Sequence, residues 1–341
     1  MLHLLSTGRF DVLLPIHEQG LVFARFPERI PAGVGIALPS FHAYWSALDK
    51  ARFSRLLSEL GVPQPGTRIF PAGFRQDDIE PPVVIKLSTS TASRGVKVVR
   101  TRAELQDAWH EIATGEVLAQ EFVRGPLEHA QAVFDRGRFI AMHGYRQIVA
   151  GAGGGEAVKE SVYRPAVRDA IQAIATRLEW HGAISFDYIL DGQIPRFVDC
   201  NPRLVEPMSA HLAGTDLIGL LVAISCGKHP SEAPHGRVGL RTRLAIQAML
   251  GSALRTNSRV ELLAQMVALA RGSGIYEGSY EELTPLRHDW WGILPLAATA
   301  VTTLLRPALA GSLQRSGWGA GLLTPAAIDQ IVLGFPSGRG D

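Results

Sequence analysis

The chain has 341 residues, 46% of them hydrophobic and 19% charged, which excludes a disordered protein and indicates a globular one. Its formal net charge of +2 is too small for a protein that binds nucleic acid through a basic surface. The two cysteines, Cys200 and Cys226, form neither a disulfide framework nor a Cys-x-x-Cys metal motif, so a reducing, cytoplasmic setting is expected.

The first third of the chain predicts alternating strands and helices. Residues 1–20 lack the apolar stretch and cleavage site of a signal peptide, and Asp11–Pro15 is interpreted as a buried strand. A helix is predicted from Asp49, which can cap it, to Gly61. A second helix begins at Thr101 in a capping box. A loop of small residues, "STSTASRG", separates two of the strands predicted in this region, which are "TRIF", "PPVVIKLS" and "VKVVR".

Two hairpins dominate the middle of the chain, after a predicted strand "EVLAQEFVRG". The first turns around Asp135–Gly137 and the second around Asp191–Gln193, with a helix between them. Beyond about residue 230 the pattern is mainly helical. The apolar run 290–305 is shorter than the roughly 20 residues of a membrane span and contains Pro295. A buried helix is therefore expected, and a membrane-surface segment is the alternative.

The second hairpin carries polar residues in an unusual pattern. Asp199, Asn201 and Arg203 alternate directly after an apolar strand, so their side chains are expected on one face. A turn of three or five residues would put Asp187 opposite Asp199, whereas a two-residue turn would give another register. Two opposed carboxylates beside an amide are the hard oxygen ligands of Mg²⁺ or Mn²⁺. The alternative is a solvent-facing strand edge.

With these residues in place, the chain resembles the ATP-grasp superfamily of biotin carboxylase, carbamoyl phosphate synthetase and D-alanine–D-alanine ligase. The stretch "DCNPR" resembles the family's E-x-N-x-R motif, with Asp199 in place of the commoner glutamate. The resemblance covers residues 40–230 in the family's order. No GxxxxGK[ST] motif is present, which argues against a P-loop kinase or motor.

The resemblance implies roles for individual residues. Lys50 and Lys86 would reach the nucleotide phosphates, and the loop with Ser93 and Gly95 would cover them. Arg203 would lie beside the transferred phosphoryl group, where an arginine stabilises developing charge. The remaining assignments are Asp187, Asp199 and Asn201 to magnesium, Glu121, Phe122 and Val123 to adenine, Glu128 to the ribose, and Arg146 and Lys159 to phosphate or an acidic substrate.

The implied fold is α+β: two α/β lobes with antiparallel sheets that clasp ATP, after a remnant N-terminal α/β segment. The expected boundaries are 1–45 for that shortened segment, 46–230 for the ATP-grasp domain with a lid at about 66–120, and 231–341 for a helical extension. The N-terminal segment is shorter than in typical relatives, either because the domain is reduced or because the true start lies upstream.

The implied activity is an ADP-forming carboxylate–amine ligase that uses ATP and Mg²⁺ or Mn²⁺. It would activate a small-molecule carboxylate as an acylphosphate for an amine or thiol. The alternatives are a grasp-fold kinase that phosphorylates a hydroxyl and a non-catalytic nucleotide-binding protein. Expected partners are small-molecule substrates and, through the C-terminal extension, a second copy of the chain or a partner subunit.

Overall fold

The computed structural model describes residues 2–73, 78–90, 95–111, 115–284, 290–313 and 323–334. The helices are α1 (Leu2–Leu5), α2 (Gly20–Arg25), α3 (Phe41–Leu48), α4 (Lys50–Leu60), α5 (Arg102–Glu111), α6 (Pro165–Arg177), α7 (Met208–Ala213), α8 (Leu217–Ser225), α9 (Ala245–Thr256), α10 (Arg259–Arg271), α11 (Ile293–Leu305) and α12 (Pro325–Leu333). Short 3₁₀ turns lie at Pro27–Arg29, Gly274–Tyr276, Trp290–Gly292 and Pro307–Leu309.

Four strands form a small antiparallel sheet in the order β1–β4–β2–β3. They are β1 (Thr67–Phe70), β2 (Val83–Leu87), β3 (Val96–Val99) and β4 (Val117–Glu121). Helix α5 covers this sheet through Leu105 and Trp109, whose ring meets Phe70 edge to face. As predicted, the helix begins with the Glu104 amide bonded to the Thr101 hydroxyl.

Seven strands form the large sheet, in the order β11–β10–β7–β6–β5–β8–β9. They are β5 (Leu127–Asp135), β6 (Arg138–Ala150), β7 (Glu156–Val162), β8 (Gly182–Asp191), β9 (Ile194–Asn201), β10 (Arg241–Arg243) and β11 (Tyr280–Glu281). Every pair is antiparallel except β10–β11. Both predicted hairpins are confirmed as β5–β6 and β8–β9.

One face of the large sheet is a hydrophobic core. Phe134, Phe186 and Phe197 project from three strands of the sheet into this core. They pack there with Phe53 of α4 and with Trp180, which follows α6. Since strand residues alternate between faces, their neighbours in sequence face the other side of the sheet. Part of that second face is apolar and packs on α8 through Val133, Ala141 and Ala183, and another part carries polar side chains.

Two regions differ from the prediction. Asp11–Pro15 is not a strand, because its only ladder contact among the described residues is an isolated parallel bridge from Val12 to Gly35. The chain beyond residue 230 is not only helical, because β10 pairs with β7 and β11 pairs with β10. The C-terminal region therefore extends the large sheet at its β7 edge.

The apolar run 290–305 forms α11, which packs on α9 and α10 as a helical appendage. It is not the buried helix that was expected, because many of its side chains stay outside this contact: Leu294 is 57% and Val301 is 56% exposed. Trp290 and Trp291 stack on each other at its start and are also exposed. Within the described ranges, none of the helices has the length and apolarity needed to span a bilayer.

Candidate active site

The hairpin β8–β9 brings the predicted metal ligands together. Asp187 lies directly opposite Asp199, and Ser185 lies opposite Asn201, so the predicted opposition is confirmed. The turn that joins the strands has only two residues, since Asp191 pairs with Ile194. The expectation that such a turn changes the register is wrong, because β9 contains a bulge that absorbs one residue.

The bulge residue is Val198. Phe197 pairs with Tyr188 and Asp199 pairs with Asp187, which leaves Val198 without a partner in the ladder. In a regular strand Phe197 and Asp199 would share one face. The extra residue lets Phe197 enter the core while Asp199 faces the polar side.

The pairing continues across the large sheet and forms two polar rows. Each row takes one residue from each of β6, β5, β8 and β9. The first row is Tyr145, His129, Asp187 and Asp199, and the second row is His143, Gln131, Ser185 and Asn201. The sequence analysis found only the β8 and β9 ends. His129 and Gln131 alternate along β5 in the same way as Asp199 and Asn201, and that pattern could have revealed the rest.

Two buried lysines meet this hairpin from other elements. The Lys86 ammonium, on β2, donates to the Val198 carbonyl at 2.7 Å. The Lys50 ammonium donates to the Ser90 carbonyl at 2.5 Å and lies 3.6 Å from Asp199 Oδ1. Burial lowers the pKa of Lys86 to about 8, because desolvation disfavours the charged amine. Both lysines assigned to phosphates thus lie beside the metal residues.

Local sequence fixes the position of Lys50. Asp49 caps α4 by accepting from the Arg52 amide, and its second oxygen accepts from the Ser88 hydroxyl. The Lys50 amide donates to the Ser88 carbonyl. The start of α4 is therefore tied to the residue that follows β2, and this brings Lys50 close to Lys86.

His129 was missed by the sequence analysis. Its Nδ1 lies 2.8 Å from Asp187 Oδ1 and its Nε2 lies 3.0 Å from Glu156 Oε1. Burial opposes protonation of the ring, but the two carboxylates outweigh it and raise the pKa of His129 to about 10. His129 is therefore an imidazolium that neutralises Asp187, and it holds the pKa of Asp187 below its usual range despite burial.

Arg203 is held by the N-terminal segment. One guanidinium nitrogen of Arg203 lies 3.2 Å from Glu18, a carboxylate that is 1% exposed. His17 contacts the other Glu18 oxygen at 2.5 Å. Strand β9 ends at Asn201, so Arg203 lies beyond the strand rather than on it as predicted. Glu18 was not predicted, because no local sequence pattern links residue 18 to residue 203.

The donor set fits a magnesium ion that shares its coordination with a nucleotide. Mg²⁺ typically takes one or two carboxylates and completes its shell with phosphates and water. Asp187 and Asp199 supply two carboxylates, and Asn201 an amide next to them. Among the described residues, no cluster of three or more His, Cys, Asp and Glu side chains could hold a metal by itself. The fit therefore depends on phosphate oxygens.

The residues assigned to adenine lie at the end of β4. Glu121 is the last residue of that strand, and Phe122 and Val123 begin the connection to β5. The Glu121 carboxylate accepts from the Gly66 amide at 3.3 Å, and Arg100 lies over the Phe122 ring. This connection joins the two sheets, as expected for a hinge between lobes.

Part of the small-residue loop, including Ser93, lies outside the described residues. Gly95 is described and has a positive φ of 72°. Its carbonyl accepts from the Leu87 amide, and a Cβ there would lie 3.1 Å from the Leu87 Cβ. Glycine thus closes the loop onto the end of β2.

Two of the predicted site residues, Glu128 and Arg146, lie on the sheet face opposite the two polar rows. Glu128 points into the core side, where Arg164 and Tyr188 bind both carboxylate oxygens and leave it fully buried. Both oxygens of the Glu128 carboxylate are thus bound within the chain, and this arrangement does not support its assignment to the ribose. Arg146 faces the same side as Glu128 and pairs with Glu160 at 2.5 Å, so it does not reach the phosphate residues.

Lys159 lies on the polar face, but other charges surround it. It contacts Glu206 and lies 3.1 Å from Glu282, with its ammonium 4.9 Å from the Tyr145 ring centre. Burial opposes its charge, but Glu282 and Glu206 outweigh burial and raise the pKa of Lys159. It has no free charge to offer a phosphate, and it links the C-terminal region to the first row.

Comparison with known proteins gives a consistent result. Residues 47–207 match the family model of the ATP-grasp domain. A carbamoyl phosphate synthase large chain from Clostridium acetobutylicum is 26% identical over 223 residues, which are 60% of this chain and 21% of that relative. The chain therefore spans about a fifth of the length of this curated relative.

Solved structures show the same fold. The biotin carboxylase domain of 2-oxoglutarate carboxylase from Hydrogenobacter thermophilus, solved with MgADP and bicarbonate, superposes with a TM-score of 0.58 at 18% identity over 70% of this chain and 59% of that one. D-alanine–D-alanine ligase from Bacillus anthracis, complexed with ATP, gives 0.51 at 17% identity over 64% and 80%. Residues 47–207 of this chain are therefore an ATP-grasp domain, as the sequence motifs predict.

Proposed function

We propose that this chain is an ADP-forming ligase that activates a small-molecule carboxylate with ATP and transfers the acyl group to an amine or thiol. The observation that carries the proposal is the convergence of Lys50, Lys86 and the opposed pair Asp187 and Asp199 at one hairpin. These residues come from α4, β2, β8 and β9. The ligands named for the neighbouring structures support ATP and Mg²⁺ as cofactors.

The proposed reaction needs no protein nucleophile. A carboxylate oxygen of the substrate attacks the γ-phosphorus, the bond to the β–γ bridging oxygen breaks, and ADP leaves. The amine then attacks the acyl carbon, loses a proton, and expels inorganic phosphate. Lys50 and Lys86 would bind the phosphates, and Arg203 would neutralise charge that develops on the transferred group.

In this scheme Asp187, Asp199 and Asn201 would hold the metal. A bound magnesium would neutralise phosphate charge and orient the γ-phosphoryl group. Cations of the chain itself partly neutralise the two carboxylates: Lys50 lies beside Asp199, and His129 beside Asp187. Glu121, Phe122 and Val123 remain the proposed adenine contacts.

The test is ADP release with pools of amino acids and small carboxylates, with and without an amine. A ligase should release phosphate only when carboxylate and amine are both present. Phosphate transfer to a hydroxyl without amine would instead show a grasp-fold kinase. ATP binding without turnover in any pool would instead favour a non-catalytic nucleotide-binding protein.

The pKa of Lys86 makes a second prediction for nucleotide binding. Phosphate oxygens favour the protonated amine, so ATP affinity should be highest well below pH 8 and fall as pH rises through the Lys86 pKa of about 8. Calorimetric titration with magnesium at about pH 7 and about pH 9 measures this. Lys86→Ala should bind more weakly and lose the pH step.

Lys97→Ala is the matched control, since Lys97 lies on the adjacent strand, is 34% exposed and pairs with Glu111. It should retain both affinity and pH step. Unchanged ATP affinity in Lys86→Ala would remove Lys86 from the phosphate site.

The setting and partners are proposed on separate observations. Both cysteines are free thiols, which supports a reducing, cytoplasmic setting. The exposed side chains of α11, including Leu294 and Val301, support contact with a second copy or a partner subunit.

A further inference from the structure

Two buried polar side chains beside the metal residues have hydrogen-bonding atoms without partners. Gln131 is 1% exposed, and neither its amide oxygen nor its amide nitrogen has a hydrogen-bond partner among the described residues. His143 is 4% exposed, and its Nε2 also has none. A buried polar group without a partner destabilises a fold, so two neighbouring ones in a single row are candidates for contact with a bound molecule.

Gln131 and His143 lie in the same row of the sheet as the proposed metal ligand Asn201. Gln131 and His143 pair across β5 and β6, and Ser185 and Asn201 continue the same row. A small cleft in front of Gln131 is lined by residues of both rows, among them His129, Tyr145, Ser185 and Asp187. His143 is the cross-strand neighbour of Gln131 and is not part of this lining. A substrate whose carboxylate lies at the metal end could thus place another group against Gln131.

The charges around this cleft are already paired with one another. His129 lies between Asp187 and Glu156. Lys159 lies between Glu206 and Glu282. The Gln131 amide and the His143 imidazole take part in none of these ion pairs, and burial with the nearby Lys159 lowers the pKa of His143 to about 4, so that ring is neutral.

We propose that Gln131, with His143 beside it, forms a subsite for an uncharged polar group, a carboxamide or a hydroxyl, of the substrate whose carboxylate is activated. This proposal rests on the ligase function proposed above. An amide both donates and accepts hydrogen bonds, and a neutral imidazole completes that pattern without a net charge. Among the described residues, the cations beside the cleft, His129 and Lys159, are already paired with carboxylates, and a second carboxylate on the substrate would lie near Asp187 and Glu156.

Gln131→Leu tests the subsite without knowledge of the substrate. Leucine removes two unpartnered buried atoms, so the free protein should melt higher, by about 2 °C or more. Gln120→Leu is the matched control, because Gln120 is a buried strand glutamine whose amide donates to the Thr67 hydroxyl at 3.0 Å. That variant should melt lower. If Gln131→Leu falls as Gln120→Leu does, the amide is structural, for instance through a bound water alone, and the subsite is overturned.

A substrate comparison provides the second readout. ADP release by the wild type is measured with asparagine, glutamine, serine and threonine against aspartate and glutamate. The neutral set should be preferred, and Gln131→Leu should raise the KM for it at least about tenfold. Preference for the acidic set overturns the proposal. Failure of the ligase function looks different: the wild type then turns over ATP with neither set, while the melting comparison still reports on Gln131.

Discussion

Asp199→Asn is expected to lower ATP turnover by about 100-fold or more, because it removes one charge where the metal and phosphates meet. Asparagine keeps the size and one oxygen of the side chain. In the free protein Lys50 lies 3.6 Å from Asp199, so the lost attraction offsets the relief of repulsion from Asp187. The melting temperature should therefore stay within about 3 °C of the wild type.

Thermal shift with and without ATP and magnesium, together with ADP release, measures this prediction. Ligand-induced stabilisation should nearly disappear in Asp199→Asn. Asp191→Asn is the control on the same hairpin, since Asp191 is at the turn and pairs with Arg196. It should behave as the wild type. If Asp199→Asn folds normally and turns over ATP at the wild-type rate, the metal site lies elsewhere.

Arg203→Lys is expected to reduce turnover by a similar factor of about 100 while ATP affinity changes little. Lysine keeps the positive charge but loses the planar fork that binds phosphate oxygens in pairs. It can still pair with Glu18, which lies 3.2 Å from the present guanidinium. The fold should therefore survive with a modest loss of stability, and the defect should appear in kcat.

Steady-state kinetics separate kcat from KM for this variant. Arg196→Lys is the control, because Arg196 lies on β9, is about a third exposed and pairs with Asp191. Turnover at the wild-type rate in Arg203→Lys would show that the fork has no role. Early unfolding of both Asp199→Asn and Arg203→Lys would instead make these residues a structural network.

The parts of the site that follow from local pattern were predictable. Alternation placed Asp199 and Asn201 on one face, and capping residues placed Lys50 at the start of a helix. Contacts across long separations were not predictable, since periodicity gives the face of a residue and not its partner. Glu18 and Arg203 are 185 positions apart, from their residue numbers, and neither lies in a strand.

The face on which Glu128 lies also could not be predicted from local pattern. It precedes His129, so one of the two must face the core and the other the polar rows. A carboxylate is the more common nucleotide ligand, and the resemblance favoured it. The structure places it in the core because Arg164 and Tyr188 satisfy it there. Without knowledge of those partners, the two residues cannot be distinguished by composition.

Because of the bulge in β9, we expect the presence of a residue at position 198 to matter more than the identity of its side chain. The Val198 carbonyl accepts a hydrogen bond from Lys86, and Val198 is the extra residue between Phe197 and Asp199 that forms the bulge. Many side chains could occupy this position. A chain that lacked it could keep every cross-strand pair of the hairpin, yet it would lose the acceptor that connects the small sheet to the large one. Among related sequences, position 198 should therefore tolerate substitution freely and deletion hardly at all.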